Sequence, residues 1–327
     1  MAANHPDLST THIDVPLTDI SIAYQQSDTD YMSRQIVPEI STDKKSNKFY
    51  TFPKGTFFRD EAKPRAPGVE AEGGGYEVEE DRFECNVWSY RTDISDQELQ
   101  NTDTPIDRLK TSTNFVTQRM LMRQEIDFRD TFFKTGIWDY NKAGGTDFEK
   151  WSNYTDSNPI EDFAFARSEV QKKTAKIPNV AVMGYDVFRI LQHHPDIVER
   201  MKYTSQKIAE VDTMATLFGI DKILVGKAIL NTGKDGLTDN FERIYGDNVC
   251  LYYFPDSPAV EVPTAGYRFR WTGVSDSGEA NTSIGITRID MPNLRSVRIE
   301  SQEAWVNKVV GTDLGYFMSD CVDSEVS

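Results

Sequence analysis

The 327-residue sequence predicts an α+β fold on three observations. Strand-type segments come first, helices occupy the middle and strands return at the end, without the regular βαβ alternation of a doubly wound sheet. An aromatic hairpin carries a long charged loop, Arg59 to Gly75. A single helix of about thirty residues then begins at Pro105, on the order of 45 Å long at 1.5 Å per residue. Hairpin and helix are too long for one small core, so the chain is expected to finish burying its surface against copies of itself. That favours assembly over catalysis.

Residues 1–47 are polar, with isolated apolar positions such as Ile20, Ile22 and Tyr24. Pro6, Pro16 and Pro38 interrupt any helix, so this stretch reads as an extended arm ordered by what it lies on. Phe49, Tyr50, Phe52, Phe57 and Phe58 are strand formers around a break at Pro53. Tyr76 to Asp93 is the return strand, with Phe83, Cys85 and Val87 on one face and Trp88 and Tyr90 on the other. A connection as long as the one between them is often functional. Ser95 and Glu98 have capping-box spacing. Thr104 is placed to cap the long helix, with Pro105 at the position where a missing N–H costs nothing. Ile106, Leu109, Thr113, Val116 and Met120 recur at helical spacing, and the pattern runs to Phe133 and stops at Gly136.

Between Asn153 and Lys176 a second helix is signalled. Asn158 caps it, Pro159 opens it, Glu161 and Asp162 fill its first turn and Lys172, Lys173 and Lys176 lie near its end, as the helix dipole favours. Val180–Met183 reads as a buried strand. Gly184 leads into a helix through Leu191, broken at Pro195 and continued to Lys202. Val211–Phe218 is a short helix ending at Gly219, and Ile223–Val225 a strand. The remainder is mostly β, with strands expected at Val249–Phe254, Tyr267–Trp271, Thr282–Arg288, Leu294–Ile299, Ala304–Val310 and Leu314–Met318.

Composition narrows the function. Apolar residues make up 38% and charged residues 27%, the balance of a soluble globular chain. No apolar run approaches the ~18 residues of a membrane span, and Met1 to Pro16 lacks a signal-peptide hydrophobic stretch. Net charge is −16, from 36 basic against 52 acidic residues. The chain as a whole should therefore repel a polyanion. Packing copies together must interleave the few basic segments with acidic ones. Cys85, Cys250 and Cys321 lie far apart without metal-ligand spacing and are expected to be buried thiols in a reducing compartment.

Motifs for chemistry are missing. There is no phosphate loop, dinucleotide fingerprint, zinc-protease helix or nucleophile elbow. Gly73-Gly74-Gly75 is followed by no helix and reads as a flexible loop base. His193 and His194 close a helix before Pro195 and are expected at its negative terminus or exposed on the surface. Asn231 to Glu242 partly fits a calcium loop, but Gly233 offers no side-chain ligand where one is needed. Glu79-Glu80 and Asp60-Glu61 are pairs that 52 acids produce by chance. No catalytic residue, cofactor or metal is expected. The competing class, an acidic α+β hydrolase, would need a pocket of convergent polar groups.

Several stretches resemble a known family. Ile94-Ser95-Asp96-Gln97-Glu98-Leu99, ahead of a long helix, resembles a segment of tailed-phage major capsid proteins. Residues 179–201 (NVAVMGYDVFRILQHHPDIVERM), Phe218-Gly219-Ile220-Asp221, Ile223 to Ala228 and Asp247 to Tyr253 resemble successive stretches of one branch of that family. The resemblance covers roughly residues 20–310 in order of elements and is specific around 179–253. It implies the Hong Kong 97-type capsid fold: an N-terminal arm (1–47), an extended hairpin called the E-loop (48–93), a peripheral domain (94–179) with a spine helix (about 104–135), an axial domain (180–281), and return strands with the C-terminus (282–327). It also implies hexamers and pentamers that close an icosahedral shell around double-stranded DNA, in a virion assembled in the bacterial host cytoplasm. A portal at one vertex follows from the same resemblance, while a decoration protein is left open. The chain departs from members that carry a long helical scaffolding extension, which implies a separate scaffolding protein or a removed segment. No membrane partner is implied. Within the E-loop, Arg59, Asp60, Glu61, Lys63 and Arg65 are the candidate inter-subunit contacts. An encapsulin-like nanocompartment shell is the nearer alternative, since it shares the fold.

Overall fold

The computed structural model describes residues 26–101, 107–201, 210–234, 236–258, 262–274 and 285–323. Ile20, Ile22, Tyr24, Thr104, Pro105 and the start of the expected strand at Thr282 lie outside them. The strands are β1 (Glu39–Thr42), β2 (Ser46–Thr51), β3 (Glu79–Glu84), β4 (Asn86–Ser95), β5 (Tyr140–Ala143), β6 (Val180–Gly184) and β7 (Lys222–Gly226). There follow β8 (Ile229–Asn231), β9 (Phe241–Arg243), β10 (Val249–Tyr252), β11 (Gly266–Trp271), β12 (Gly285–Met291), β13 (Ser296–Val309) and β14 (Gly315–Ser319).

The first large sheet has the order β5-β14-β10-β6-β7. Its central strands, Val180–Gly184 and Val249–Tyr252, are apolar runs buried along their whole length, as expected of strands covered on both faces. Alternation divides them between two cores. Ala181, Met183, Val249 and Leu251 face the helices Pro159–Thr174, Tyr185–His193 and Val211–Phe218, through Phe163, Leu191, Met214 and Phe218. Val180, Val182, Cys250 and Tyr252 face Phe128 and Phe132 of the long helix, together with Tyr31, Met32, Ile36 and Val37. Local signals set the helix ends. The Asn158 side chain accepts from Glu161 N at 3.2 Å, and the last of these helices closes on Gly219 at φ +65°, a conformation that favours glycine. Gly184 has no room for a Cβ against the Gly246 carbonyl, which explains the glycine where β6 turns into its helix.

The second large sheet has the order β1-β11-β13-β12, with β4 also paired to β13. The long helix lies across it, packing Val116 against Ile94 and Ile299, and Met120 against Trp305. The two sheets interleave the expected segments. β1 comes from 1–47 and β11 from 180–281, yet both join the sheet of β13, while β5 and β14 flank the first sheet from outside 180–281.

Boundaries differ from expectation in several places. The single return strand expected over Tyr76–Asp93 is two strands, β3 paired with β2 and β4 paired with β13. The long helix is Arg108–Phe132, 25 residues rather than about thirty, and its cap is Asp107, whose carboxylate accepts from Lys110 N at 3.1 Å. The strands expected at Leu294–Ile299 and Ala304–Val310 are the single 14-residue β13. The polar stretch Glu300–Glu303 does not interrupt it, because Ser301 and Glu303 are buried beneath the long helix and Glu303 is bonded there. Phe57 belongs to a short helix, Lys54–Phe57, not a strand, because Pro53 ends the pairing after Thr51 and starts a helical turn. The capping box at Ser95 is present in both directions, Glu98 N to Ser95 Oγ at 3.2 Å and Ser95 N to Glu98 Oε2 at 3.1 Å.

Candidate assembly surface

The hairpin is rooted in aromatic packing. β2 and β3 pair antiparallel, Ser46 opposite Glu84 through Thr51 opposite Glu79. Phe83 stacks on Phe269 at 4.0 Å between centroids, and Phe49 leans on the same ring at 5.6 Å. Cys85 is buried beneath them, and burial pushes its thiol up to about 11. Val87 continues that face beside Ala304 but sits at the margin of the sheet, where it is exposed. Beyond Thr51 the chain is still tied to the body by the Lys54–Asp313 ion pair, and residues 59–75 extend from there. Phe52, Phe57 and Tyr76 gather with ring centroids 6.0–6.2 Å apart, yet Phe57, Phe58 and Tyr76 are each at least 60% exposed. Under this cluster runs a groove of about 1030 Å³, lined by Ile40, Phe49, Phe52, Tyr267, Phe269 and Val310. Exposed aromatic surface on this scale marks an interaction site.

Residues 59–75 are exposed throughout. Arg59 lies 3.9 Å from Glu61, Lys63 lies 2.9 Å from Glu72, and Arg65 Nε donates to the Val69 carbonyl. Asp60 has no ion pair among the described residues. The structure thus collects the five candidate residues on one loop and brings none of them to the body of the subunit. Exposed pairs of this kind contribute ~0–1 kcal/mol each.

A second surface was missed from sequence. Along the outer face of the long helix, the Arg119 guanidinium lies 5.1 Å over the Phe115 ring, and Phe115 meets Tyr90 of β4 edge-on at 5.8 Å. The Arg123 guanidinium lies 4.3 Å over Trp88, which stacks on Trp305 at 5.7 Å. Residues 108–124 hold four basic side chains, Arg108, Lys110, Arg119 and Arg123, and no acid, in a chain of net charge −16. That local reversal of sign was the available signal.

The inner face of the helix is polar where it meets the arm. Glu125 is fully buried and accepts from Met32 N at 3.0 Å, Ser33 N at 2.9 Å and the Tyr245 hydroxyl at 2.7 Å. Arg34 reaches Gln124 at 2.7 Å and Glu303 at 2.8 Å. The segment around residues 31–37 is thereby fixed to the helix, to the first sheet and to β13.

His193 and His194 close their helix as expected, with His193 its exposed last residue and His194 its C-cap, but His194 is not on the surface. It is fully buried, its Nε2 is 3.0 Å from Ser157 Oγ and its Nδ1 accepts from Asp196 N at 3.3 Å. Ser157 Oγ donates to the Asn153 carbonyl, so Nε2 carries the imidazole proton. Burial holds the ring below its usual 6.5, opposed by the Asp196 carboxylate. The unfolded chain therefore takes up this proton first. The contribution is full above about 6.5 and is lost as pH falls through the lower folded-state value. Urea titrations below about pH 6.5 should show a steeper loss of stability for the parent than for His194→Gln.

The Asn231 side chain, offered by the partial calcium pattern, instead accepts from Gly233 N and Asn240 N at 2.9 and 3.0 Å. No group of three or more metal-ligating side chains occurs among the described residues. All three cysteines are buried and unpaired, as expected.

No family model matches the chain. The major capsid protein of Burkholderia phage BcepMu is 24% identical over 318 residues, covering 94% of this chain and 96% of that protein. Among solved structures, a phage-related protein from Bordetella bronchiseptica RB50 superposes with TM-score 0.67 at 20% identity, over 91% of this chain and 93% of that one. The capsid of cyanophage P-SCSP1u gives 0.60 at 10% identity, over 91% and 90%. An encapsulin from Synechococcus elongatus PCC 7942 is more distant, at 0.51 and 8% identity, over 94% of each chain. The chain has the Hong Kong 97-type fold of phage capsids, and its likeness to a phage major capsid protein runs through nearly its whole length.

Proposed function

We propose that this chain is the major capsid subunit of a tailed phage, a structural protein and not an enzyme, that closes an icosahedral shell of hexamers and pentamers around double-stranded DNA. The observation that carries the reading is end-to-end coverage of a curated major capsid protein by a chain of capsid fold. The exposed hairpin suits it, because exposed aromatic rings at Phe57, Phe58 and Tyr76 beside an extended charged loop are built to meet another copy. On this reading residues 1–47 are the arm, 48–93 the E-loop, 94–179 the peripheral domain, 180–281 the axial domain and 282–327 the return strands. Arg59, Lys63 and Arg65 with their neighbouring acids lie over an adjacent subunit. Weak pairs repeated over hundreds of contacts and joined to apolar burial suffice for a shell that corrects errors as it grows.

A separate scaffolding protein, a portal at one vertex and assembly in the host cytoplasm belong to the same proposal. A nanocompartment shell is the second reading, favoured only by the encapsulin likeness. Terminase and portal genes beside this one support the phage reading, and a cargo-enzyme gene supports the other. Negative-stain microscopy of the purified protein should show closed shells or capsomers, and a monodisperse monomer at every concentration would overturn the proposal. With net charge −16, the isolated subunit should not bind DNA tightly. A gel-shift series at low and moderate salt checks this, and tight, salt-sensitive binding is the adverse result.

A further inference from the structure

β12 is an edge strand. It pairs with β13 on one side, and among the described residues no strand lies on its other side. Alternate residues of its seven therefore turn their backbone N–H and C=O groups outward, a template for one more strand. Little blunts this edge. It holds neither proline nor lysine, and Ile286 and Ile289 are each 41% exposed. Arg288 and Asp290 stand two residues apart on one face. Across the pairing with β13 they lie opposite Ile299 and Val297, so that strand offers them no charge. Among the described residues their one ion pair is with each other, at 3.4 Å, with side chains 58% and 72% exposed.

We infer that this edge pairs antiparallel with the same edge of a second copy, about a two-fold axis through Ile289. The stretch Thr287-Arg288-Ile289-Asp290-Met291 is self-complementary in that register. Arg288 of each copy meets Asp290 of the other, Ile289 meets its own counterpart, and Thr287 meets Met291. Four charges then alternate in sign on one face, and the isoleucines touch on the other. In a continuous sheet, opposed residues point to the same face, so the axis must pass through a residue and not between two. Centring on Arg288 sets two guanidiniums against each other and Ile286 against Asp290. Centring on Asp290 opposes two carboxylates. Like charges directly opposite destabilise a strand pair, so charge selects the register that the backbone alone leaves open. The same axis puts the long helices, which pack on the Ile299 face, on one side of the joined sheet, as a contact within a shell wall requires. This rests on the shell reading above and adds a contact that does not involve the hairpin.

Mixing charge variants separates contact between copies from the pairing within one strand. Arg288→Asp leaves the strand with two carboxylates, and Asp290→Arg leaves it with two guanidiniums. Each variant alone therefore sets like charges together both within a copy and between copies. The altered side chains are exposed, so circular dichroism should show folded subunits. Shell yield should fall about tenfold for each variant alone and return to within about threefold of the parent when the two are mixed before assembly. Mixing repairs only a contact between copies, because each strand stays like-charged within itself. Cysteines check the register. In assembled shells treated with a mild oxidant, Ile289→Cys should form covalent dimers about tenfold faster than Thr287→Cys, whose counterpart lies ~13 Å along the strand. The native thiols are buried and do not compete. Parental yield from either charge variant alone, a mixture that stays defective, or equal cross-linking of the two cysteine variants overturns the inference. A parent that forms no particle at all, with its fold intact, instead brings down the shell reading.

Discussion

Deleting residues 62–74 leaves a folded, soluble subunit that builds no shells. The segment is exposed along its length, and its bonds, Lys63 to Glu72 and Arg65 to Val69, close within itself. Removing it uncovers no core atom. The lost pair is worth ~0–1 kcal/mol, and a shorter connection costs less closure entropy. The thermal midpoint should therefore move by less than about 3 °C. Assembly has no comparable reserve, because the deletion removes Lys63, Arg65, Glu70 and Glu72 from the exposed tip through which copies are expected to join and shortens the reach of the limb that carries Tyr76, Glu77 and Glu79. Calorimetry should read the intact fold and negative stain the missing shells. Normal particles would sink the assignment of this loop to the interface.

The largest stability loss is expected at Glu125. Replacing it by alanine strands three donors, Met32 N, Ser33 N and the Tyr245 hydroxyl, in a place water reaches poorly. Each buried donor left without a partner costs ~1–3 kcal/mol, so a loss of about 3–5 kcal/mol is expected once partial relaxation is allowed. Tyr245→Phe removes one bond and its donor together and should cost only ~1 kcal/mol. Urea midpoints at constant slope measure both. Near-equal, small losses would show that the carboxylate is not the hub the distances describe.

Much of this fold was legible because its signals are local. Asn158, Gly219, the Ser95–Glu98 box and the runs Val180–Gly184 and Val249–Tyr252 fix elements from within a few residues. What escaped depended on distant partners. β1 is four residues long and exists because Arg268 to Trp271 pair with it. Glu300–Glu303 read as a break, yet the segment continues β13 because Arg34 and Gln124 meet Glu303 from afar. His194 read as a surface residue because its burial depends on Ser157 and Tyr154, outside its own helix. The loop of the candidate surface was visible as composition. The second surface needed the alignment of Arg119, Phe115 and Tyr90 across helix and strand, which sequence spacing alone does not show.

β13 has a mechanical consequence. Its 14 residues extend ~45 Å, and along that length it is stitched to β4, β12 and β11. A pull along its axis loads those hydrogen bonds in parallel, as shear, so they share the strain and do not open one after another like a zip. The long helix lying across it stiffens the same direction against bending. A shell wall inflated from inside is stretched in its own plane. A subunit with such a tie-rod passes tension from one neighbour to the next without unravelling.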